Sequence, residues 1–231
     1  MIQYEKLLTL PGKSIVPTSD AFVSADIIFA YGELCLRREA VLPETAKQEM
    51  HNLVLLLKYK LHAPRPVYIS GSTLLYTFID GYSYEQLIDK WEGDRFSRAH
   101  IAPAFKALCR WLFSFYTASG KITGNIDLKN FVYTPAYTCA GSGFDAVFPE
   151  GSKEHEFGSL LALVATSAPS FTPLKKQIFL FILYLCYREG YDLSEIKSGY
   201  FAKIREISSR RPFHKNEIEK AFDFIHNLTS I

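Results

Sequence analysis

Residues 122–131 read Ile-Thr-Gly-Asn-Ile-Asp-Leu-Lys-Asn-Phe, and a second short segment, Gly143-Phe144-Asp145, follows one predicted hairpin later. Within the first segment, Asn130 lies five residues after Asn125. Amide and carboxylate oxygens are suitable ligands for Mg²⁺, so Asn130 and Asp145 are a candidate pair of metal ligands. Each of them alone could equally stabilise a turn through local hydrogen bonds. The elements around them therefore decide between the two interpretations.

The two segments have the spacing of a phosphoryl-transfer site. Transfer of the terminal phosphate of ATP needs a carboxylate that receives the acceptor proton and oxygen ligands that hold Mg²⁺ against the phosphates. Thr123-Gly124-Asn125-Ile126 resembles the His-Gly-Asp-Leu loop of proteins similar to aminoglycoside phosphotransferases and lipopolysaccharide core kinases, in which an Asn follows the Asp by five residues. This resemblance implies ATP and Mg²⁺ as cofactors, with Asn130 and Asp145 on the metal. It also puts an amide, Asn125, in place of the catalytic carboxylate.

The sequence upstream fits the same resemblance. Residues 33–38 alternate as a strand, and Arg37 stands where the third strand of a kinase-like lobe carries its phosphate-binding Lys. Residues 43–59 predict a helix, with a Pro in its first turn and apolar residues at helical spacing. On this helix Glu49 would be the ion-pair partner of Arg37. An ordinary surface pair between strand and helix is the competing interpretation.

A strand hairpin over residues 67–78 leads into Ile79-Asp80-Gly81, which resembles the hinge between kinase lobes and makes Asp80 a candidate cofactor-binding residue. The expected fold is therefore α+β and two-lobed: a small antiparallel-sheet lobe with one helix over residues 1–81, and a larger, mainly helical lobe over residues 82–231. The catalytic-loop region spans residues 121–151. A phosphate-covering loop is expected near residues 11–22, where only Gly12 is available; it is either built from Ser19 and its neighbours or absent.

The second half of the chain predicts helices over residues 84–91, 97–118, 174–188, 192–206 and 214–228, with a buried helix beginning near Glu156. The start of that buried helix resembles the Asp-Leu-x-x-Leu-Leu start that supports the catalytic loop in aminoglycoside-kinase-like proteins. Glu156 stands where the Asp would be, so we expect a structural role for it. Residues 135–140 are expected to form a long hairpin tip.

Composition agrees with this fold and excludes other classes. Nearly half of the 231 residues are apolar and 15% are aromatic, which excludes global disorder. The four cysteines are far apart and form no zinc or disulfide pattern, and no basic, then apolar, leader begins the chain. The longest apolar run is about half of the roughly 20 residues that a membrane span needs. We therefore expect a cytoplasmic protein without a membrane span and without a nucleic-acid partner.

Three function classes remain open. The leading hypothesis is a pseudokinase whose phosphotransfer is impaired or lost, because Asn125 cannot accept a proton, Arg37 replaces Lys and the glycine-rich loop is missing. The second is an active small-molecule phosphotransferase with Asp127 as the base. In this alternative the loop has two fewer residues between the base and the metal ligand than the kinase-like loops that it resembles. The third is a protein-interaction module that binds no nucleotide. The acceptor, whether a small molecule or a protein, cannot be read from the sequence.

Overall fold

The computed structural model describes residues 21–93, 98–211, 213 and 215–226. The chain is an α+β protein with a small antiparallel sheet in its N-terminal part and a mostly helical C-terminal part, so the class expected from the sequence is confirmed. In chain order the described elements are β1 (Phe22–Ala30), β2 (Glu33–Ala40), α1 (Pro43–Lys58), β3 (Pro66–Ser70), β4 (Thr73–Thr77), β5 (Tyr82–Ser83), α2 (Tyr84–Glu92), α3 (Ile101–Ser119), β6 (Phe131–Tyr133), β7 (Cys139–Gly141), α4 (Lys153–Thr166), α5 (Pro173–Arg188), α6 (Leu193–Arg210) and α7 (Lys215–His226).

The N-terminal sheet has the strand order β1-β2-β4-β3, and every neighbouring pair is antiparallel. Helix α1 connects β2 to β3. It begins at Pro43. Glu44 in the first turn and Lys58 in the last turn place a negative charge at the positive end of the helix dipole and a positive charge at its negative end, which stabilises the helix. Its buried face packs with β2 and β4 in the main core.

The C-terminal part is built around α3, which ends at Gly120 in a left-handed conformation with φ +67°. Helices α4 and α6 cross with their backbones in close approach. A Cβ built on Gly158 would lie 2.3 Å from the carbonyl oxygen of Ile196, and one on Gly199 would lie 2.5 Å from the Cα of His155. Only glycine fits at this crossing, which fixes α4 against α6.

A second small sheet, β5-β6-β7, lies between the two parts and carries the predicted site. Its β6–β7 hairpin pairs Phe131 with Gly141. The carbonyl oxygen of His62, in the connection after α1, accepts hydrogen bonds from the Gly141 N–H at 3.0 Å and from the indole of Trp111 at 2.9 Å. The N-terminal part is therefore joined to this sheet and to α3.

Element positions follow the sequence-based expectations closely, and the differences are local. Cys139 and Ala140 belong to β7, so the hairpin tip is shorter than predicted. Helix α4 begins before Glu156, at Lys153, where the Ser152 side chain caps it. The expected phosphate-covering loop lies mostly outside the described residues. In the part of the chain that the structure describes, no helix combines the length and the apolar character that a membrane crossing requires.

Candidate functional site

A buried ion pair joins β2 to α1. The Nη1 atom of Arg38 lies 2.7 Å and 2.8 Å from the two carboxylate oxygens of Glu49, and the two side chains are 2% and 0% exposed. The ring of Phe22 covers the guanidinium, with its centroid 3.5 Å from Cζ. Burial by itself lowers the pKa of Arg38, but Tyr76 and Glu49 outweigh it and raise that pKa. Arg38 is therefore a permanently charged group removed from solvent.

Arg37, the residue expected to pair with Glu49, lies on the opposite face of β2. Its Nη2 atom is 2.8 Å from Asp26 on β1, and the two side chains are 34% and 47% exposed. Successive side chains of a strand point to opposite faces, and α1 covers the face that carries Arg38. The predicted pairing of Arg37 with Glu49 is therefore wrong by one residue, whereas Glu49 does supply the carboxylate of the helix.

The same face of α1 holds the Gly143-Phe144-Asp145 segment. The backbone N–H of Gly143 lies close enough to the Glu49 carboxylate to oppose the rise in its pKa. One turn along α1, Nδ2 of Asn52 donates to the carbonyl oxygens of Phe144 at 2.8 Å and of Ala146 at 2.7 Å. Asn52 is 1% exposed. Two hydrogen bonds therefore attach α1 to the carbonyl groups on either side of Asp145.

Asp145 lies within electrostatic range of the buried ion pair. Its charge contributes to raising the pKa of Arg38. Burial, more than any charge, raises the pKa of Glu49; Arg38 opposes this shift and Asp145 adds to it. Two carboxylates, Glu49 and Asp145, thus share the neighbourhood of one guanidinium.

Asn130, the other predicted metal ligand, is 5% exposed and is the last residue of a short 3₁₀ turn, Leu128–Asn130, that leads into β6. Its side-chain oxygen is buried and has no hydrogen-bond partner among the described residues. Its backbone oxygen accepts from the N–H of Ser142 at 2.8 Å, so the segment that leads to Asp145 starts beside it. A buried acceptor without a partner costs free energy unless a ligand or water satisfies it.

Glu156 holds the loop between α3 and β6. Its Oε2 accepts from the Tyr116 hydroxyl at 2.7 Å and from the Thr123 N–H at 3.0 Å, while its Oε1 accepts from the Thr123 hydroxyl at 2.7 Å and from the Gly124 N–H at 2.8 Å. Burial and the Glu156 charge raise the pKa of Tyr116 well above its usual range, so this phenol remains a donor. The structural role expected for Glu156 is confirmed.

The two candidate catalytic residues of this loop have different environments. Asn125 is exposed, immediately after the two residues that Glu156 fixes. Asp127 caps the 3₁₀ turn, where its carboxylate accepts from the Lys129 N–H at 2.9 Å. The Lys129 ammonium in turn lies 3.7 Å from Glu85. Asp127 thus has a local structural function, and Asn125 is the loop side chain that the structure leaves open to solvent.

A polar pocket of about 290 Å³ borders this loop. Asn125 lines it together with the beginning of α4 and the second half of α6, which contribute Ser152, His155, Ser159, Lys203 and Glu206. The Lys203 ammonium lies 2.9 Å from Glu206, and His155 lies 3.0 Å from Glu195. Lys203 and Glu206 of the lining therefore pair with each other, whereas the partner of His155 lies outside the lining.

Asp80, the predicted cofactor-binding residue of the hinge, is exposed in the segment between β4 and β5. The following Gly81 has φ +149°, and a Cβ there would lie 2.3 Å from the carbonyl oxygen of Tyr133. This segment therefore runs tightly against β6.

Comparison with known proteins adds nothing to this geometry, since no protein-family model matches the chain and no curated protein is significantly similar to it. Within the described residues, no group of three or more His, Cys, Asp and Glu side chains is arranged to hold a metal ion. Any cation at this site would therefore need oxygens of Asn130, of the backbone or of a bound ligand.

Two site residues escaped sequence reasoning. To identify Arg38, one has to know which face of β2 is buried. The apolar Leu36, two residues earlier on the same face, was the available indication. Asn52 has no comparable signal, because its partners are 92 and 94 residues away in sequence. The local indication was a polar residue between the apolar positions of the buried face of α1, which also carries Glu49.

Proposed function

We propose that this protein is a pseudokinase: a two-lobed, kinase-like protein whose cleft binds a magnesium nucleotide but transfers phosphate poorly or not at all. The proposal is supported by the order of its elements, by the buried pair between β2 and α1, and by the tethering of the Asp145 segment to that helix. It also rests on the resemblance of the 122–131 segment to the loops of aminoglycoside phosphotransferase-like and lipopolysaccharide-kinase-like proteins.

One observation carries the loss of catalysis. Four hydrogen bonds to Glu156 hold the loop, and the exposed side chain at the position of the base is the amide of Asn125. An amide cannot receive the acceptor proton at ordinary pH. Loss of general base catalysis typically slows a reaction 10²–10⁴-fold. The Phe22 ring adds to the loss, because it covers the Arg38 guanidinium that would otherwise face a phosphate.

The retention of a cation is supported by Asn130. Its buried Oδ1 atom, which has no hydrogen-bond partner among the described residues, and the carboxylate of Asp145 are the types of oxygen that a site for Mg²⁺ with nucleotide phosphates uses. Mg²⁺ usually takes only one or two protein oxygens and completes its shell with phosphates and water. Two protein ligands would therefore suffice if a nucleotide supplied the others.

Thermal unfolding with millimolar ATP and Mg²⁺ tests the binding. Ligand at ten times its Kd stabilises a protein by about 1.4 kcal/mol, which for a chain of this size raises Tm by about 3–5 °C. Asn130→Leu, which removes the amide at similar volume, should abolish the shift, whereas Asp26→Asn at the surface pair should leave it intact. A wild-type protein that shows no shift would remove nucleotide binding from the proposal.

Catalysis is tested separately by release of phosphate from ATP. We expect Asn125→Asp to raise the rate above that of the wild type, since it restores a carboxylate in a loop that is already held in place. Asp127→Asn should not change the rate of either protein. A wild-type rate that falls on Asp127→Asn would instead identify Asp127 as a base and the protein as an active phosphotransferase.

A further inference from the structure

The side chain of Asn52 uses all of its hydrogen-bonding groups for one purpose. Its Oδ1 atom accepts from Nε2 of Gln48 at 3.0 Å, which orients the amide. Both hydrogens of Nδ2 are then directed at the carbonyl oxygens of Phe144 and Ala146. The residue is 1% exposed, so no water competes for these bonds.

The two carbonyl groups flank Asp145 on either side. Glu49, three residues earlier on the same face of α1, lies close to the backbone N–H of Gly143. The backbone carbonyl groups of residues 144 and 146 are therefore both bonded to one helix, and the residue between them is the predicted metal ligand. Backbone bonds on both sides of a residue fix the origin of its side chain, whatever that side chain itself contacts.

We infer that Asn52 is the positioning residue of Asp145: it holds the 143–146 segment on α1, so that Asp145 is presented to the cleft only while α1 is in this position. The purpose of that placement, presentation of a carboxylate to a cation, rests on the proposed function. The attachment itself does not. A shift of α1 would carry Asp145 with it, and loss of the amide would release Asp145 without moving α1.

Hydrogen exchange at the amides of Ser142 and Gly143 tests the attachment, because the first donates to the carbonyl oxygen of Asn130 in this structure and the second lies close to the Glu49 carboxylate. Asn52→Leu keeps the shape of the side chain and removes both donors. Leu56→Ala on the same helix, a fully buried position one turn away, is the matched control for lost stability. We expect exchange at these two amides to be at least about tenfold faster in Asn52→Leu than in Leu56→Ala, since two hydrogen bonds are lost.

If Asn52→Leu does not fold, Gln48→Leu replaces it. This variant leaves both carbonyl bonds possible but no longer orients the amide, so a smaller increase, about threefold, is expected at the same amides. Equal exchange in the Asn52 or Gln48 variant and in Leu56→Ala would overturn the inference.

Binding of Mn²⁺ with ATP, followed by water-proton relaxation well below all melting temperatures, tests the purpose. Asn52→Leu should weaken Mn²⁺ binding at least tenfold, while Leu56→Ala should retain the wild-type affinity. Equal affinities in the two variants would refute the positioning of a metal ligand. A wild-type protein that binds no Mn²⁺ would refute the proposed function instead, and the exchange measurement would still decide whether Asn52 holds the segment.

Discussion

Replacement of Glu156 by Gln should destabilise the protein far more than its size suggests. The carboxylate accepts two hydrogen bonds at each oxygen, and each oxygen has one backbone N–H among its donors, from Thr123 or from Gly124. The hydroxyls of Tyr116 and of Thr123 can turn and accept from an amide, but a backbone N–H cannot. Whichever way the amide of Gln points, its nitrogen therefore faces one backbone donor that loses its acceptor.

The magnitude follows from these bonds. One buried N–H without an acceptor costs about 1–3 kcal/mol, and the bonds that remain lose the charge of the acceptor, which weakens them by about 1 kcal/mol in total. We expect a loss of about 3 kcal/mol in the free energy of unfolding and a fall in Tm of about 6–12 °C.

Urea unfolding at pH 7, followed by circular dichroism, measures this loss. Glu154→Gln is the matched control, because Glu154 lies in the same turn of α4, is partly exposed and accepts only from Ser152 at 3.2 Å. The control should stay within about 0.5 kcal/mol of the wild type. If Glu156→Gln were as stable as Glu154→Gln, the four hydrogen bonds would not hold the loop as described.

Three further predictions concern other parts of the fold. Arg38→Met leaves the Glu49 carboxylate buried without its partner and should lower the free energy of unfolding, measured in urea, by about 3–5 kcal/mol. Arg37→Met at the surface pair should lower it by less than about 1 kcal/mol. Similar losses in the two variants would contradict the assignment of the buried pair. Gly158→Ala should lower the free energy of unfolding by about 1–3 kcal/mol or more, because its Cβ meets the backbone of α6. Ser159→Ala, the neighbouring control, should be nearly neutral. A Gly158→Ala protein as stable as the wild type would disprove the close crossing. Burial raises the pKa of Cys109 far above its ordinary value of 9.0, so the folded state binds the thiol proton more tightly than the unfolded state does. The free energy of unfolding therefore falls as pH rises past 9, and between pH 8 and 9.5 this thiol accounts for a fall of about 0.8 kcal/mol. Cys109→Ala should remove this part of the pH dependence, measured under reducing conditions.

The secondary structure was largely predictable because its signals are local. The first turn of α1, the left-handed end of α3 at Gly120 and the alternation of β2 are each set by residues within a few positions of one another. The site was predictable only where a short motif carried it. Asn130 and Asp145 were selected from their spacing, and their role as metal ligands stays a prediction. The structural role of Glu156 was found from the start of its helix.

The remaining features depend on contacts between distant segments. The choice between Arg37 and Arg38 depended on which face of β2 is covered, and both faces carry apolar residues. The hydrogen bonds of Asn52 join residues 92 and 94 positions apart, so no periodicity encodes them. The glycines of the crossing between α4 and α6 also look ordinary in sequence, because their role depends on the partner helix.

The ring of Phe22 over Arg38 has a consequence for rates. An anion that approaches the guanidinium from the side of the ring has to displace the ring first. Association of such an anion would then proceed through a rare open conformation, and its observed rate would level off at the opening rate as the ligand concentration rises. A smaller side chain at position 22 would remove that ceiling, so stopped-flow mixing of Phe22→Ala with the same anion would show a rate that keeps rising.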